Sequence, residues 1–317
     1  MVFNILLLVA AMAGLTLSAD RFVAGAAELA ARLNVSTVVA GALIIGFGTS
    51  APELVVSTVA TLTEGAEGTS LGIGNIVGAN VANLTLVLSM PVLFFGSIAI
   101  RKGFKRQAAL SATAVSVFAL AAYVGQPTVA KGAGMALLML LALWTVVRLG
   151  EVSGDEVTSD GAEGLGPWVW TAVGLVGTVG FAYLVVRAAT GIADEMGWTG
   201  GFVGFALVAL GTTQPELLTA LAAARRGESG LVLGNLLGSN LFNSLTVGSA
   251  VFLANRNMPY DEASRLPVGS LLIMVAVSWL VIVMMRTGRR ISRGEAVVML
   301  GIYGTVLLWL AVTGATV

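Results

Sequence analysis

Apolar stretches of bilayer-crossing length recur from one end of the chain to the other, separated by short polar breaks. A helix needs about 20 apolar residues to cross the hydrocarbon core. Ten such spans can be read, at about 3–30, 39–62, 70–94, 107–125, 130–149, 166–193, 200–224, 229–254, 267–286 and 294–315. They leave no room for a soluble domain. The expected fold is an all-α integral membrane protein of ten transmembrane helices. Composition agrees: 57% of the 317 residues are hydrophobic and 11% are charged, whereas a soluble domain is about a quarter charged.

Composition also removes whole classes of chemistry. With no Cys, there are no disulfides, thiolate metal sites or redox cysteines. With no His, there is no imidazole base and no imidazole ligand for zinc or copper. A net charge of zero gives no reason to expect nucleic acid as a partner. What remains is chemistry done by carboxylates and neutral oxygens, with no enzyme cofactor expected.

The first stretch, Met1 to Ala19, has the length of a signal peptide but lacks a basic start, and its apolar run continues past Ala19. It is read as the first span. The longest polar stretch, Gly150 to Gly166, carries Glu151, Asp155, Glu156, Asp160 and Glu163 and reads as an acidic linker at 150–165. It divides the chain into halves at 1–149 and 166–317. Lys and Arg accumulate on the cytoplasmic side of membrane proteins. With both termini outside, the inner loops hold twelve of the 17 basic residues: Arg32, Arg101, Lys102, Lys105, Arg106, Arg148, Arg225, Arg226, Arg286, Arg289, Arg290 and Arg293. The outer loops hold Lys131, Arg256 and Arg265, while Arg21 and Arg187 fall within spans. That imbalance predicts a cytoplasmic-membrane protein with its termini outside and its linker inside.

Two motifs occur twice. Gly48-Thr49-Ser50-Ala51-Pro52-Glu53-Leu54 returns as Gly211-Thr212-Thr213-Gln214-Pro215-Glu216-Leu217, and Gly74-Asn75-Ile76-Val77-Gly78-Ala79-Asn80-Val81-Ala82-Asn83 returns as Gly234-Asn235-Leu236-Leu237-Gly238-Ser239-Asn240-Leu241-Phe242-Asn243. The offsets are 163 and 160 positions. Each half holds five spans, and an odd number inverts the second half relative to the first. Two inverted five-helix repeats with a site near the midplane are an architecture of secondary transporters.

Glu53 and Glu216 fall deep in the second and seventh spans, where an unpaired carboxylate costs about 2.5–3.5 kcal/mol on insertion scales. No Lys or Arg stands near either in the same span. Each follows a proline, which removes a backbone donor and displaces the carbonyl four residues back, here Gly48 and Gly211. A cation would satisfy freed carbonyls and carboxylates together. Thr49, Ser50, Thr212 and Thr213 add hydroxyls, and Asn83 and Asn243 add amide oxygens. Gly74, Gly78, Gly234 and Gly238 permit close helix approach. Such an all-oxygen set suits hard cations such as Ca²⁺ or Na⁺. Two carboxylates match one divalent charge or two monovalent ones, which is a basis for exchange.

These motifs resemble the two alpha-repeats of the cation/calcium antiporter superfamily, in particular the prokaryotic sodium/calcium exchangers. The resemblance covers nearly the whole chain. It implies Ca²⁺ extrusion by alternating access, with the first and sixth helices sliding across a fixed core in a protein that works as a monomer among membrane lipids. It implies that Glu53 and Glu216 are the central ligands, that Thr49 and Thr212 adjoin them, and that Ser50 and Thr213 are neighbouring hydroxyls. It also implies backbone carbonyls from Gly46 and Ala209, a hydroxyl from Ser239 and an amide from Asn83. The chain departs from the pattern at Ala79, where a Ser is common, at Asn243, where Asp is common, and at Thr213. The expected function is Na⁺/Ca²⁺ antiport. The alternative is H⁺/Ca²⁺ antiport at the same paired glutamates, and a passive channel is a reading of a different class.

Overall fold

The structure is a computed structural model, and it describes residues 1–32, 49–100, 104–148, 166–225, 227, 229–259, 266–288 and 290–313. The acidic linker and Gly46 lie outside the described residues. Helix occupies the described part of each apolar stretch: α1 (Val2–Arg32), α2 (Ala51–Ala82), α3 (Leu88–Phe95), α4 (Phe104–Tyr123), α5 (Val129–Arg148), α6 (Pro167–Met196), α7 (Gly200–Val203), α8 (Ala209–Thr212), α9 (Gln214–Arg225), α10 (Ser229–Phe242), α11 (Gly248–Asn255), α12 (Val268–Thr287) and α13 (Arg293–Thr313). Six helical runs among the described residues are long and apolar enough to cross a membrane, and the apolar helices Val2–Ser18 and Val129–Thr145 are shorter. The only strands among the described residues are β1 (Ile98–Ala99) and β2 (Arg290–Ile291), an antiparallel pair joining two polar loops.

One of the six runs, Ala51–Phe95, covers 45 residues, more than one crossing requires. It folds back on itself at Gly65, whose φ of 58° and ψ of −121° no helix contains. A positive φ is costly for a residue with a Cβ and free for glycine. The two arms then run antiparallel in close contact. A Cβ at Gly68 would overlap the carbonyl of Ala60, one at Gly72 would come within 3.1 Å of Ser57 O, and Asn75 Nδ2 donates to Ser57 Oγ across 2.9 Å. The second half repeats the device. Helices α9 and α10 meet at Gly227, where φ is 77°.

Each hairpin's second arm passes through a π-helical turn, Asn83–Val87 in the first half and Asn243–Val247 in the second. Both turns start on the closing Asn of the repeated motif, 160 residues apart. A third π turn, Gly204–Val208, joins α7 to α8. Wide turns of this kind cluster at functional sites because they re-aim side chains without ending the helix.

Glycines set the spacing between helices, as the small-residue pattern predicts. A Cβ on Gly74 would overlap Gly201 O, one on Gly78 would lie 2.6 Å from Phe205 O, and one on Gly204 would overlap Leu71 O. The 66–82 arm of α2 therefore packs backbone to backbone against residues 200–208. Gly234 and Gly238, the repeat partners of Gly74 and Gly78, meet no backbone among the described residues.

Helices α1 and α6 form an antiparallel pair of their own. Gly14 faces Phe181, Gly177 faces Ser18, Gly191 faces Asn4 and Gly25 faces Thr171. A buried apolar cluster that includes Leu8, Ala11, Leu15, Ala182, Val185, Val186 and Ala189 joins them and extends to Val56 and Val208 of the hairpin region. An apolar cavity of about 730 Å³ is lined by α1, the end of α6 and residues 206–214, where Met12 also packs against Gly211.

Adding a methyl where two backbones touch forces displacement at a cost of about 1–3 kcal/mol. Gly74→Ala is therefore expected to lower the thermal unfolding midpoint of the detergent-purified protein, whereas Gly134→Ala, whose Cβ would meet nothing within 4 Å, should leave it unchanged. Tryptophan fluorescence during heating measures both.

Candidate cation site

The repeated Gly-Thr-x-x-Pro-Glu segments interrupt the helix: in the second copy for the single residue Thr213 within the run 200–225, and in the first at Ser50, just before α2. Ser50 breaks the helix with φ −92° and ψ 9°, and Thr213 does so with φ −81° and ψ 5°. Pro52 then occupies the first turn of α2, and Pro215 the first turn of α9. A proline there sacrifices no hydrogen bond, because the first N–H groups of a helix have no intrahelical acceptor. Glu53 and Glu216 are consequently first-turn residues. The free N–H groups and the positive end of the helix dipole favour a carboxylate at that position. Each acid thus sits at the one point of a buried helix that tolerates it best.

The fold brings the two acids together. Both are fully buried, and each lies within the other's electrostatic reach. No basic side chain is seen to form an ion pair with either among the described residues; a salt bridge does join the Met1 amine to Glu195, away from both. Two like charges this close and this dry repel strongly.

Their surroundings are not equivalent. Glu216 Oε1 accepts hydrogen bonds from Ser50 Oγ at 3.2 Å and Ser239 Oγ at 3.1 Å, and Ser50 Oγ also reaches Ser239 Oγ at 3.0 Å. Thr49 Oγ1 closes that corner, 3.1 Å from Ser239 Oγ and 3.2 Å from Asn235 Oδ1. Around Glu53 the matching hydroxyls are missing or turned away. Ala79 stands where Ser239 stands in the repeat, and Thr213, the partner of Ser50, donates to Ala209 O at 2.8 Å. Thr212 lies beside Glu53, but among the described residues neither oxygen of Glu53 has a hydrogen-bond partner of good geometry, and Glu216 Oε2 also lacks one.

The amides complete the cluster. Asn83 and Asn243 are fully buried at the starts of their π turns. Asn83 Nδ2 donates to Asn240 Oδ1 at 3.0 Å, which leaves Asn83 Oδ1 bare, and neither polar atom of Asn243 has a partner. Native proteins rarely leave buried polar atoms unpaired, since each costs about 1–3 kcal/mol. Among the described residues, five buried oxygens without a hydrogen-bond partner belong to Glu53, Glu216, Asn83 and Asn243, and carboxylate and amide oxygens are the ligand types a hard cation takes. Among the described residues no three acidic side chains gather in one place, so a cation here would rest on two carboxylates and neutral oxygens.

Ten of the eleven sequence-predicted site residues lie in described segments: Thr49, Ser50, Glu53, Asn83, Ala209, Thr212, Thr213, Glu216, Ser239 and Asn243. All but Thr49 are buried. In this conformation Ala209 O is already met by the N–H of Thr213 at 3.0 Å and by its hydroxyl. Sequence reasoning passed over Asn75, Asn235, Asn80 and Asn240 as site-building residues. Asn240 Nδ2 bonds to Asn80 O at 3.0 Å and Asn80 Nδ2 to Ser244 Oγ at 3.0 Å, tying the two motif helices together where the halves meet. The signal was present: each of these asparagines recurs in both copies of the motif.

The sequence profile described as "sodium/calcium exchanger protein" matches residues 3–150 and 166–312. The chain belongs to the sodium/calcium exchanger protein family. CaxA of Alkalimonas amylolytica is 32% identical over 295 residues, which are 89% of this chain and 91% of CaxA. The sodium/calcium exchanger MaX1 of Methanosarcina acetivorans is 25% identical over 345 residues, covering 95% and 96% of the two chains. The sodium-calcium exchanger NCX_Mj, solved after soaking with 100 mM Na⁺ and 10 mM Sr²⁺, superposes with a TM-score of 0.66 at 26% identity, over 97% of this chain and 98% of that one. Membership makes this exchanger a multi-pass cation/calcium antiporter of the membrane.

A ligand that binds only the folded state stabilises it by about 2.7 kcal/mol at a hundred times its dissociation constant. Calcium is therefore expected to raise the thermal midpoint of this exchanger in detergent relative to a chelator, and Glu53→Gln should remove that rise. Differential scanning fluorimetry with and without calcium checks it.

Proposed function

We propose that the chain is a secondary antiporter that exchanges Na⁺ for Ca²⁺ across the cytoplasmic membrane by alternating access, with Glu53 and Glu216 as the shared central ligands. The observation that carries this reading is the buried pair of acids at opposed helix starts, with bare oxygens and no basic partner among the described residues. Thr49, Ser50, Thr212, Thr213, Asn83, Asn243 and Ser239 supply the remaining oxygens, with Gly46 and Ala209 offering carbonyls in other states of the cycle. One Ca²⁺ or two Na⁺ would neutralise the two carboxylates, and mutual exclusion of those loads couples the two fluxes.

The arrangement as two inverted five-helix repeats, 1–149 and 166–317, is supported by the paired features in each half. Helix breaks stand at Ser50 and Thr213, hairpin tips at Gly65 and Gly227, and π turns at Asn83 and Asn243. The distribution of Lys and Arg supports termini outside and the 150–165 linker inside. The small-residue pairing of α1 with α6, Gly14 on Phe181 and Gly177 on Ser18, supports the expectation that these two helices move as one unit. A second reading, H⁺/Ca²⁺ exchange, draws on one observation: Ala79 deprives the Glu53 corner of a hydroxyl that a dehydrated monovalent metal ion would use.

In proteoliposomes loaded with sodium, an outward Na⁺ gradient is expected to drive ⁴⁵Ca²⁺ uptake, and Glu53→Gln or Glu216→Gln should reduce it by more than tenfold, since each removes a charge the buried cation needs. Uptake driven by a pH gradient in sodium-free buffer, with none driven by sodium, would move the assignment to proton coupling. Wild-type rates in both variants would refute the site itself.

A further inference from the structure

The two corners of the cation site are related by the repeat down to single side-chain bonds. Thr49 Oγ1 donates to Asn235 Oδ1 at 3.2 Å, and Thr212 Oγ1 donates to Asn75 Oδ1 at 3.2 Å. Each bond joins the threonine of one half to the asparagine of the other, so one is the image of the other. This correspondence fixes where the remaining motif residues stand. Ser239 Oγ lies 3.1 Å from Thr49 Oγ1, 3.0 Å from Ser50 Oγ and 3.1 Å from Glu216 Oε1. The image of Ser239 is Ala79, which is fully buried and carries no side-chain oxygen.

The corners therefore differ in how many cations they can hold. A hydroxyl that donates its proton keeps lone pairs for a metal. Ser50, Ser239 and Thr49 gather three such hydroxyls beside Glu216, whose Oε2 has no hydrogen-bond partner among the described residues. Such oxygens can replace the water around a hard cation. In the image corner, one of the three positions is Ala79. Another, Thr213, has its hydroxyl turned to the carbonyl of Ala209 at 2.8 Å. Of the three positions, that leaves Thr212.

Charge sets the same limit. The site holds two acids, Glu53 and Glu216, and no third acidic side chain joins them among the described residues. Asn243 contributes a neutral amide. An uncompensated charge is costly in a buried membrane site. One Ca²⁺ brings two carboxylates to zero, and so do two monovalent ions. A third monovalent ion would leave a net positive charge, and the corner left to hold it is the one short of oxygens.

We infer that this exchanger moves two Na⁺ for each Ca²⁺, so that the exchange carries no net charge, and that Ala79 is the specificity-determining residue that excludes a third Na⁺. The inference rests on the proposed Na⁺/Ca²⁺ exchange at Glu53 and Glu216 and adds its stoichiometry. Ala79→Ser would recreate the image of Ser239 and return a hydroxyl to the poorer corner.

The test is the calcium accumulated at equilibrium in sodium-loaded proteoliposomes whose membrane potential is clamped with potassium and valinomycin. Moving one elementary charge across 100 mV shifts an equilibrium by about fiftyfold. In the wild type, accumulation is expected to be the same at zero potential and at that potential, inside positive. Ala79→Ser is expected to accumulate more calcium at the inside-positive potential, because three Na⁺ leaving for one Ca²⁺ entering carries positive charge outward. Wild-type accumulation that changes with potential overturns the two-for-one exchange, whether or not the variant folds. A folded Ala79→Ser variant indifferent to potential overturns the role of Ala79. Absence of any sodium-driven uptake at zero potential refutes sodium exchange itself, a failure seen before a potential is imposed.

Discussion

Repulsion between two dry carboxylates organises this molecule. A pair of buried acids within reach of each other, with no Lys or Arg to neutralise them among the described residues, would normally be selected out of a membrane core. Here the surrounding fold holds them in place. Each acid is set on the first turn of a helix, where backbone N–H groups point at it. Each helix start is produced by a proline that costs nothing at that position and a Ser or Thr that ends the preceding turn. The helix starts stabilise the acids only in part, which is why they are proposed to take a positive load.

Such a site needs rigid walls, because the balance turns on the direction of single hydrogen bonds. Glycines permit direct contact of the 66–82 arm with residues 200–208, leaving no slack for repacking. Asparagines 80, 83 and 240 bind the two motif helices to each other with backbone and side-chain bonds. By contrast, α1 and α6 pack chiefly on each other, with an apolar cavity along one flank. The α1–α6 pair also shares a buried core with Val56, Ala60, Val203 and Val208, so it is joined to the oxygen-bearing part by apolar packing.

Duplication builds the site, and divergence tunes it. Both halves supply an acid, a hydroxyl pair, an amide at a π turn and an asparagine behind the threonine. They differ at Ser57 and Ala220, at Ala79 and Ser239, and at Ser50 and Thr213. These exchanges give one acid two hydroxyl donors and leave the other bare. The two copies of the motif therefore present two chemically different corners, one with hydroxyl donors to its acid and one without them among the described residues.

Much of this was legible in the residues alone. Apolar runs of bilayer length dictate helices, because lipid offers no other partner for the backbone. The duplicated motifs and their acids identify the chemistry, because an intramembrane carboxylate without a partner demands a cation. The sequence also carried the glycine spacing that lets helices touch. It did not reveal that the breaks fall on Ser50 and Thr213, since a proline fixes only that the helix is disturbed nearby and not which residue leaves helical geometry. Nor did it reveal the proton directions. Asn75 accepts from Thr212 and donates to Ser57 on the facing arm of the hairpin, a proximity created by the fold at Gly65. One-dimensional spacing can place oxygens in a span; only three-dimensional packing determines which of them keeps a lone pair free.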